Sequence, residues 1–387
     1  MLKKTNRAIG GVLLVSGTSI GAGMLALPVL TCFAGFLPSF FSFIFCWLFM
    51  LVTAYLILEV NLDCPGDVNM ISMAGRTLGK SGKILCWGIY LLLLYALTAA
   101  YIAGSSPLFL SAVHAITGVQ LPSWVGPFPL LIFFGLFVYM GTRTVDYINR
   151  ILMICLILAY SAIVAFLPSH VEMEFLQFRD TSAIWVAIPV IITSFGFHII
   201  IPTLTTYLSH DAKRLRLIIF VGSLIPLVVY LIWEFLILGV LPQENLEAAW
   251  NAGVSAAVPL SQYVQNPWIS FAANFFSFFA IITSFLGVSL SLSDFLGDGL
   301  KLHRFTWGRE IACLLTFIPP LLFVLFYSRG FMIALQFAGL FVAILLGLMP
   351  PLMAWKLKKF KQPIKRAGLI LVGLFSLGLI GLCVHFI

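Results

Sequence analysis

Gly17-Thr18-Ser19-Ile20-Gly21-Ala22-Gly23 interrupts an apolar run that otherwise extends from residue 8 to residue 34. A run of that length can cross a bilayer, because about 20 apolar residues span the hydrocarbon. Each of the three glycines weakens a helix by about 1 kcal/mol relative to alanine. Main chain freed inside hydrocarbon persists only where protein or water satisfies it. Unwinding here would expose the amino terminus of a second half-helix beginning near Met24, whose positive dipole end suits a carboxylate. The competing explanation is a close small-residue helix contact, with Gly17 and Gly21 four apart.

Outward from this stretch, spanning-length runs read at 8–34, 36–60, 83–113, 126–142, 148–168, 184–208, 215–241, 266–297, 310–328, 331–355 and 367–387. The sixth carries a second interruption, Thr193-Ser194-Phe195-Gly196-Phe197-His198, between Pro189 and Pro202. Spans 1 and 6 therefore open two halves of five spans each, 8–168 and 184–355, followed by one extra helix at 367–387. Five is odd, so the halves run in opposite orientation. Broken helices at corresponding places of inverted repeats are the best sequence pointer to a secondary transporter's binding site. The expected fold is an all-α polytopic membrane protein with one transporter domain over residues 1–387.

Composition agrees. Of 387 residues, 61% are hydrophobic and 9% charged, against roughly 25% charged in a soluble domain. Continuous apolar runs exclude a β-barrel, whose strands alternate. With the N-terminus inside, every one of the 22 Lys and Arg residues except Arg179 and Arg329 falls on the inner side, as the positive-inside rule requires. The net charge of +8 is thus a topology signal and secondarily an attraction to anionic lipid. Lys3, Lys4 and Arg7 resemble a signal-peptide n-region, but apolar character resuming over Met24–Leu30 favours a retained helix. Cys32, Cys46, Cys64, Cys86, Cys155, Cys313 and Cys383 show no metal-like spacing and read as packing residues. The longest loops, 61–82 inside and 242–265 outside, are too short for a catalytic domain. Neither an enzyme nor a cofactor or metal site is expected.

The stretch Val15–Pro28 resembles the first-helix signature of the bacterial hydroxy and aromatic amino acid permeases. Tyr95–Ile102, Thr193–His198, Thr283–Val288, Phe317–Pro320 and Phe326–Phe331 continue the likeness in family order. It is greatest to the tyrosine-specific branch. The resemblance implies eleven helices, the amino acid–polyamine–organocation superfamily, a LeuT-like core, the bacterial inner membrane and proton-coupled uptake of an aromatic amino acid. The implied partners are an aromatic L-amino acid, a proton and membrane lipid; nothing points to nucleic acid or an obligate protein partner.

A zwitterion at the bilayer midplane needs donors for its carboxylate, acceptors for its ammonium and a cavity for its side chain. Main-chain N–H groups near Gly21–Gly23 would serve the first, and carbonyls near Gly17–Ser19 and Thr193–Phe195 the second. Tyr95, Thr98 and Tyr101 lie three apart on one face of the third span. With Phe195, Phe197, Thr283 and Ser284 they are candidate walls. For proton coupling the candidates are His198, which can titrate near neutrality, and Glu234, the acid deepest inside an apolar run. Glu234 alternatively reaches to the outer interface a turn or two away. Asp294 reads as an inner gate or helix-end partner; His114, His170, His210, His303 and His385 read as peripheral. The competing functions are a sodium-driven symporter, whose ion Thr18, Ser19, Thr283 and Ser284 could ligate, an uncoupled channel and a non-transporting sensor.

Overall fold

A computed structural model describes residues 2–66, 68–327 and 329–386, with main chain only for residues 2–6 and 303. Ser328, within one of the family-like blocks, and the side chains of Lys3, Lys4 and His303 lie outside the described residues. The described chain is all-helical. In order it forms α1 (Leu2–Ser19), α2 (Leu27–Thr31), α3 (Phe36–Asp63), α4 (Met70–Thr117), α5 (Phe128–Met140), α6 (Thr142–Phe166), α7 (Ile188–Ser194) and α8 (Ile201–Tyr207). Then follow α9 (Ala212–Val240), α10 (Gln243–Ala252), α11 (Ala257–Tyr263), α12 (Pro267–Gly299), α13 (Gly308–Phe326), α14 (Gly330–Val342), α15 (Met349–Ala354) and α16 (Pro363–Phe386).

Among the described residues ten helical segments are long and apolar enough to cross a membrane, and eleven if the pair 7–19 and 22–31, bent by 45°, counts as one. The chain is therefore a multi-pass membrane protein. Large apolar side chains stand exposed around the bundle, among them Phe41, Phe133, Leu158 and Leu371. In water such patches would be liabilities; here they form the lipid-facing belt. Burial is uneven and locates the core. The broken segment 188–207 and the segment 330–354 are 67% buried over their apolar windows, whereas α16 is 22% buried and α6 11%.

Local chemistry sets the ends. Asn69 caps α4 by accepting the Ser72 N–H at 2.9 Å, and Gly118 ends it at φ 71°. Asp211 caps α9 through the Arg214 N–H at 3.2 Å. Two stretches expected as loops are helical in part. Residues 61–82 include the start of α4, which turns at Gly79 (φ 77°) before entering the span. Residues 242–265 form α10 and α11, whose Leu246, Ala249 and Leu260 are buried. These short helices cover one end of the bundle, and the Ala256 N–H donates to the Leu25 carbonyl at 3.0 Å. The segment 330–354 carries a π-turn at Ala343–Leu348, between α14 and α15.

Candidate substrate site between two broken helices

The last helical bond of α1 runs from the Ile20 N–H to the Ser16 carbonyl at 2.9 Å. Gly21 is then extended (φ −162°, ψ −162°), a 3₁₀ turn covers Ala22–Leu25, and α2 follows with Pro28 in its first turn. Extended backbone alone would not require glycine. Close approach does: a Cβ on Gly21 would stand 2.5 Å from the Ser284 Oγ. The Ser284 hydroxyl accepts the Ala22 N–H at 3.0 Å and donates to the Ala280 carbonyl at 2.8 Å. Among the described residues the N–H groups of Gly21 and Gly23 find no hydrogen-bond acceptor, and the Gly17 and Thr18 carbonyls lose the donors a continuous helix would supply.

The second break opens after α7. Phe195–Phe197 is non-helical, a 3₁₀ turn covers His198–Ile200, and α8 begins with Pro202 in its first turn. The two breaks abut. A Cβ on Gly23 would stand 3.1 Å from the Ser194 Oγ. On α9 the Tyr230 hydroxyl lies 2.6 Å from the Ser19 carbonyl and 2.9 Å from the Ser194 carbonyl, so one hydrogen is shared between both breaks. One turn on, the Trp233 indole N–H donates to the Met24 carbonyl at 3.0 Å. Tyr230 and Trp233 are fully buried. A buried carbonyl left without its donor costs about 1–3 kcal/mol, so this pair holds the unwound segments in place.

A cavity of about 340 Å³ lies against both breaks, within the range of roughly 300–1,000 Å³ usual for small-molecule sites. Gly17, Thr18, Ser19, Ile20, Gly21 and Gly23 line it from the first break, and Thr193, Ser194 and Gly196 from the second. Tyr101, Thr283 and Ser284 also reach it. Ala22 is buried behind the first break and takes part through its bond to Ser284. Four of the cavity's hydroxyls share one pattern, whereas the buried Ser19 hydroxyl has no partner among the described residues. Thr18 donates to Leu14, Thr193 to Pro189, Ser194 to Val190 and Thr283 to Phe279, at 2.7–2.9 Å. Each hydrogen is spent on the residue's own helix, which leaves oxygen lone pairs as acceptors. Exposure is graded: Thr18, Ile199, Gly287 and Ser291 are exposed, whereas Ala22, Met24, Tyr101 and Thr283 are buried. The cavity therefore opens toward the end of the bundle that carries the basic segments and is closed toward α10 and α11.

Other candidates stand elsewhere. The α4 wall is Tyr90, Leu93, Leu94, Leu97 and Tyr101. Steps of three drift by about 60° around a 3.6-residue helix, so Tyr95 and Thr98 leave the face that Tyr101 occupies. The Tyr95 hydroxyl donates to the Leu315 carbonyl at 2.9 Å in a separate apolar groove, and Thr98 is buried with its hydroxyl on Leu94. Phe195 packs on the Tyr230 ring at 5.3 Å. Phe197 packs on His198, whose Nε2 lies 2.8 Å from the Thr53 Oγ1 on α3. Glu234 is fully buried, bonded to the Thr31 hydroxyl, and outside the cavity. Asp294 is exposed in another cleft beside Asp298 and Arg309. The sequence reading missed Tyr230 and Trp233, although Tyr230, Trp233 and Glu234 at i, i+3 and i+4 form one polar-tipped face inside an apolar run. It also missed Asn149 and Met153, which complete the wall from α6.

A multi-pass helical bundle with a small-molecule cavity at paired helix breaks defines a membrane permease architecture. The model of the tryptophan/tyrosine permease family matches residues 4–384, and the chain belongs to that family. It is 35% identical to tyrosine-specific transport system 1 of Haemophilus influenzae over 92% of this chain and 89% of that protein. It is 32% identical to a tryptophan-specific transport protein of the same organism, over 91% and 88%. A glutamine transporter 2 of Aliivibrio fischeri is 27% identical over 91% and 90%.

Proposed function

We propose that the protein is a secondary active transporter that imports an aromatic amino acid, tyrosine first and tryptophan or phenylalanine as further substrates, coupled to protons. The observation that carries this reading is the meeting of two helix breaks at one cavity, the first with free main-chain N–H groups and the second flanked by hydroxyl acceptors at the end of α7. Free N–H groups of Gly21 and Gly23 suit the carboxylate, and the acceptor oxygens of Thr193 and Ser194 suit the ammonium. Leu93, Leu94, Leu97, Met153 and Val288 supply apolar walls for the ring, with Tyr90 and Asn149 as polar groups for a phenol or indole. The printed names of the tyrosine- and tryptophan-specific relatives support the aromatic class.

In this reading the halves 8–168 and 184–355 are inverted five-helix repeats with a LeuT-like core, and 367–387 is the extra helix. The N-terminus and the basic loops face the cytoplasm of a bacterial cell, in its inner membrane. The conformation is then inward-facing, with the exit open and the outer end sealed by α10 and α11, as alternating access requires. His198 and Glu234 are the candidate proton carriers. No enzymatic step or cofactor is involved. The shared lone-pair pattern of Thr18, Thr193, Ser194 and Thr283 also favours a sodium ion as the second reading. Uptake of labelled tyrosine into proteoliposomes under a pH gradient, without sodium, separates the two. Proton-driven accumulation is expected; accumulation only after sodium is added would overturn it. Competition by each unlabelled amino acid, glutamine included, fixes side-chain preference.

A further inference from the structure

We propose that Glu234 is the proton-loading residue, and that its contact with Thr31 makes protonation a condition for closing the outer half of the first span. The inference rests on the proton-coupled reading above and deepens it. Glu234 sits on α9 against α2, the short segment beyond the first break. It is fully buried, and among the described residues no basic side chain forms an ion pair with it. One carboxyl oxygen meets the Thr31 Oγ1, and the other has no partner. Thr31 is itself fully buried, and its hydroxyl lies 2.8 Å from the Leu27 carbonyl.

Counting hydrogens decides who donates. A hydroxyl carries one hydrogen. If Thr31 gives it to Leu27, as Thr18, Thr193 and Ser194 give theirs to their own helices, the carboxyl must be the donor to Thr31. A neutral acid satisfies both contacts. A bare carboxylate could keep its contact only by drawing the Thr31 hydrogen away from Leu27, and it would stay buried without a counter-charge, which is strongly unfavourable in this setting.

Among the described residues no neighbouring element places a basic group in an ion pair with Glu234. Just past α2 comes the Cys32 thiol, close enough to Glu247 of α10 to feel its charge. The segment after α6 brings His170, exposed with its ring nitrogen 3.0 Å from the Ser169 hydroxyl, then Glu172, whose N–H donates to the Gly239 carbonyl, and Glu174. α6 brings the Tyr160 phenol, bonded to the Val229 carbonyl at 2.9 Å. α1 and α3 carry Arg7, Glu59 and Asp63 at the opposite end of the bundle. On α9 itself Tyr230 lies one turn below Glu234 and touches both breaks, which offers a polar step toward the cavity for release. His198 has no such link to α2, its ring nitrogen being placed against Thr53 on α3.

The sequence of events follows. With α2 swung outward, the carboxyl meets outer water and takes a proton. The neutral acid then permits α2 to close on α9, and the proton leaves after the inner end has opened. No covalent bond changes.

The test compares wild type, Glu234→Gln, Glu234→Asp and Thr31→Val in proteoliposomes by two readouts. One is tyrosine counterflow, which needs no driving gradient. The other is accumulation under an imposed pH difference of about 1.5 units, which sets a limit of about 30-fold for one proton per zwitterion. Glu234→Gln is expected to keep counterflow within about threefold while accumulation falls to unity, because its amide can donate to Thr31 but cannot release a proton. Glu234→Asp retains partial accumulation, and Thr31→Val lowers accumulation by about threefold, as loss of one hydrogen bond would. Wild-type accumulation by Glu234→Gln overturns the proposal. So does equal loss of counterflow and accumulation in both Glu234 variants, which marks a structural role. Failure of the wild type itself to accumulate tyrosine under the pH difference refutes the functional reading instead.

Discussion

The two breaks look alike in sequence, glycine among small polar residues within an apolar run, yet they behave differently in the fold. Among the described residues the first leaves the Gly21 and Gly23 N–H groups without acceptors and relies on foreign partners, Ser284 from α12 for the Ala22 N–H and Tyr230 and Trp233 from α9 for the Ser19 and Met24 carbonyls. The second largely satisfies itself. Phe195 N–H donates to Ile192, Gly196 N–H to Thr193 and Ile200 N–H to Phe197, at 3.0–3.2 Å. Its aromatic side chains anchor it in the core against Tyr230 and α3. The first break thus offers free donors at Gly21 and Gly23 beside the free Gly17 and Thr18 carbonyls, the second a fixed set of acceptors. In the function proposed above, a zwitterion is the ligand that reads both at once.

That contrast can be broken most severely at Gly21. Replacing it with leucine drives a branched side chain into Ser284, and overpacking of this kind costs about 1–3 kcal/mol before any donor is lost. Gly21→Leu is expected to weaken tyrosine binding by about 100-fold or more, measured by titration of the purified protein. Unchanged affinity would remove the first break from the site. Tyr230→Phe deletes the hydroxyl that holds the breaks together and leaves carbonyls without a donor. A loss of about ten- to thirtyfold in affinity is expected, with thermal stability reduced in the same variant.

Smaller effects sharpen the comparison. Ser284→Ala removes the single cap on Ala22 and should weaken binding about fivefold, the scale of one hydrogen bond. Tyr95→Phe should change affinity by less than about twofold, because its hydroxyl contacts Leu315 and not the cavity. A tenfold loss there would mean that α4 is rotated relative to the geometry described.

Much of this was legible beforehand. Glycine spacing located both breaks, and apolar run length located the spans to within a few residues. What the sequence hid was direction. Tyr95 and Thr98 fit a three-residue spacing but leave the face Tyr101 shares with Tyr90, Leu94 and Leu97, because helical phase accumulates over two turns. Phe195, Phe197 and His198 sit in the second break yet point into the core, a choice set by α3 and α9 and invisible in local sequence. Glu234 was expected either to carry a proton or to reach the outer interface; α2 covers it, so it reaches no interface. Tyr230 and Trp233 act on main-chain carbonyls some 36 to 211 positions away, and no local pattern encodes such a partner.

The most direct measurement is structure determination with tyrosine bound. The account expects the carboxylate within hydrogen-bond distance of the Gly21 and Gly23 amides, the ammonium beside Thr193 and Ser194, and the ring against Leu97 and Val288. Tyrosine seated away from both unwound segments, or either segment rewound into continuous helix around it, would contradict the account.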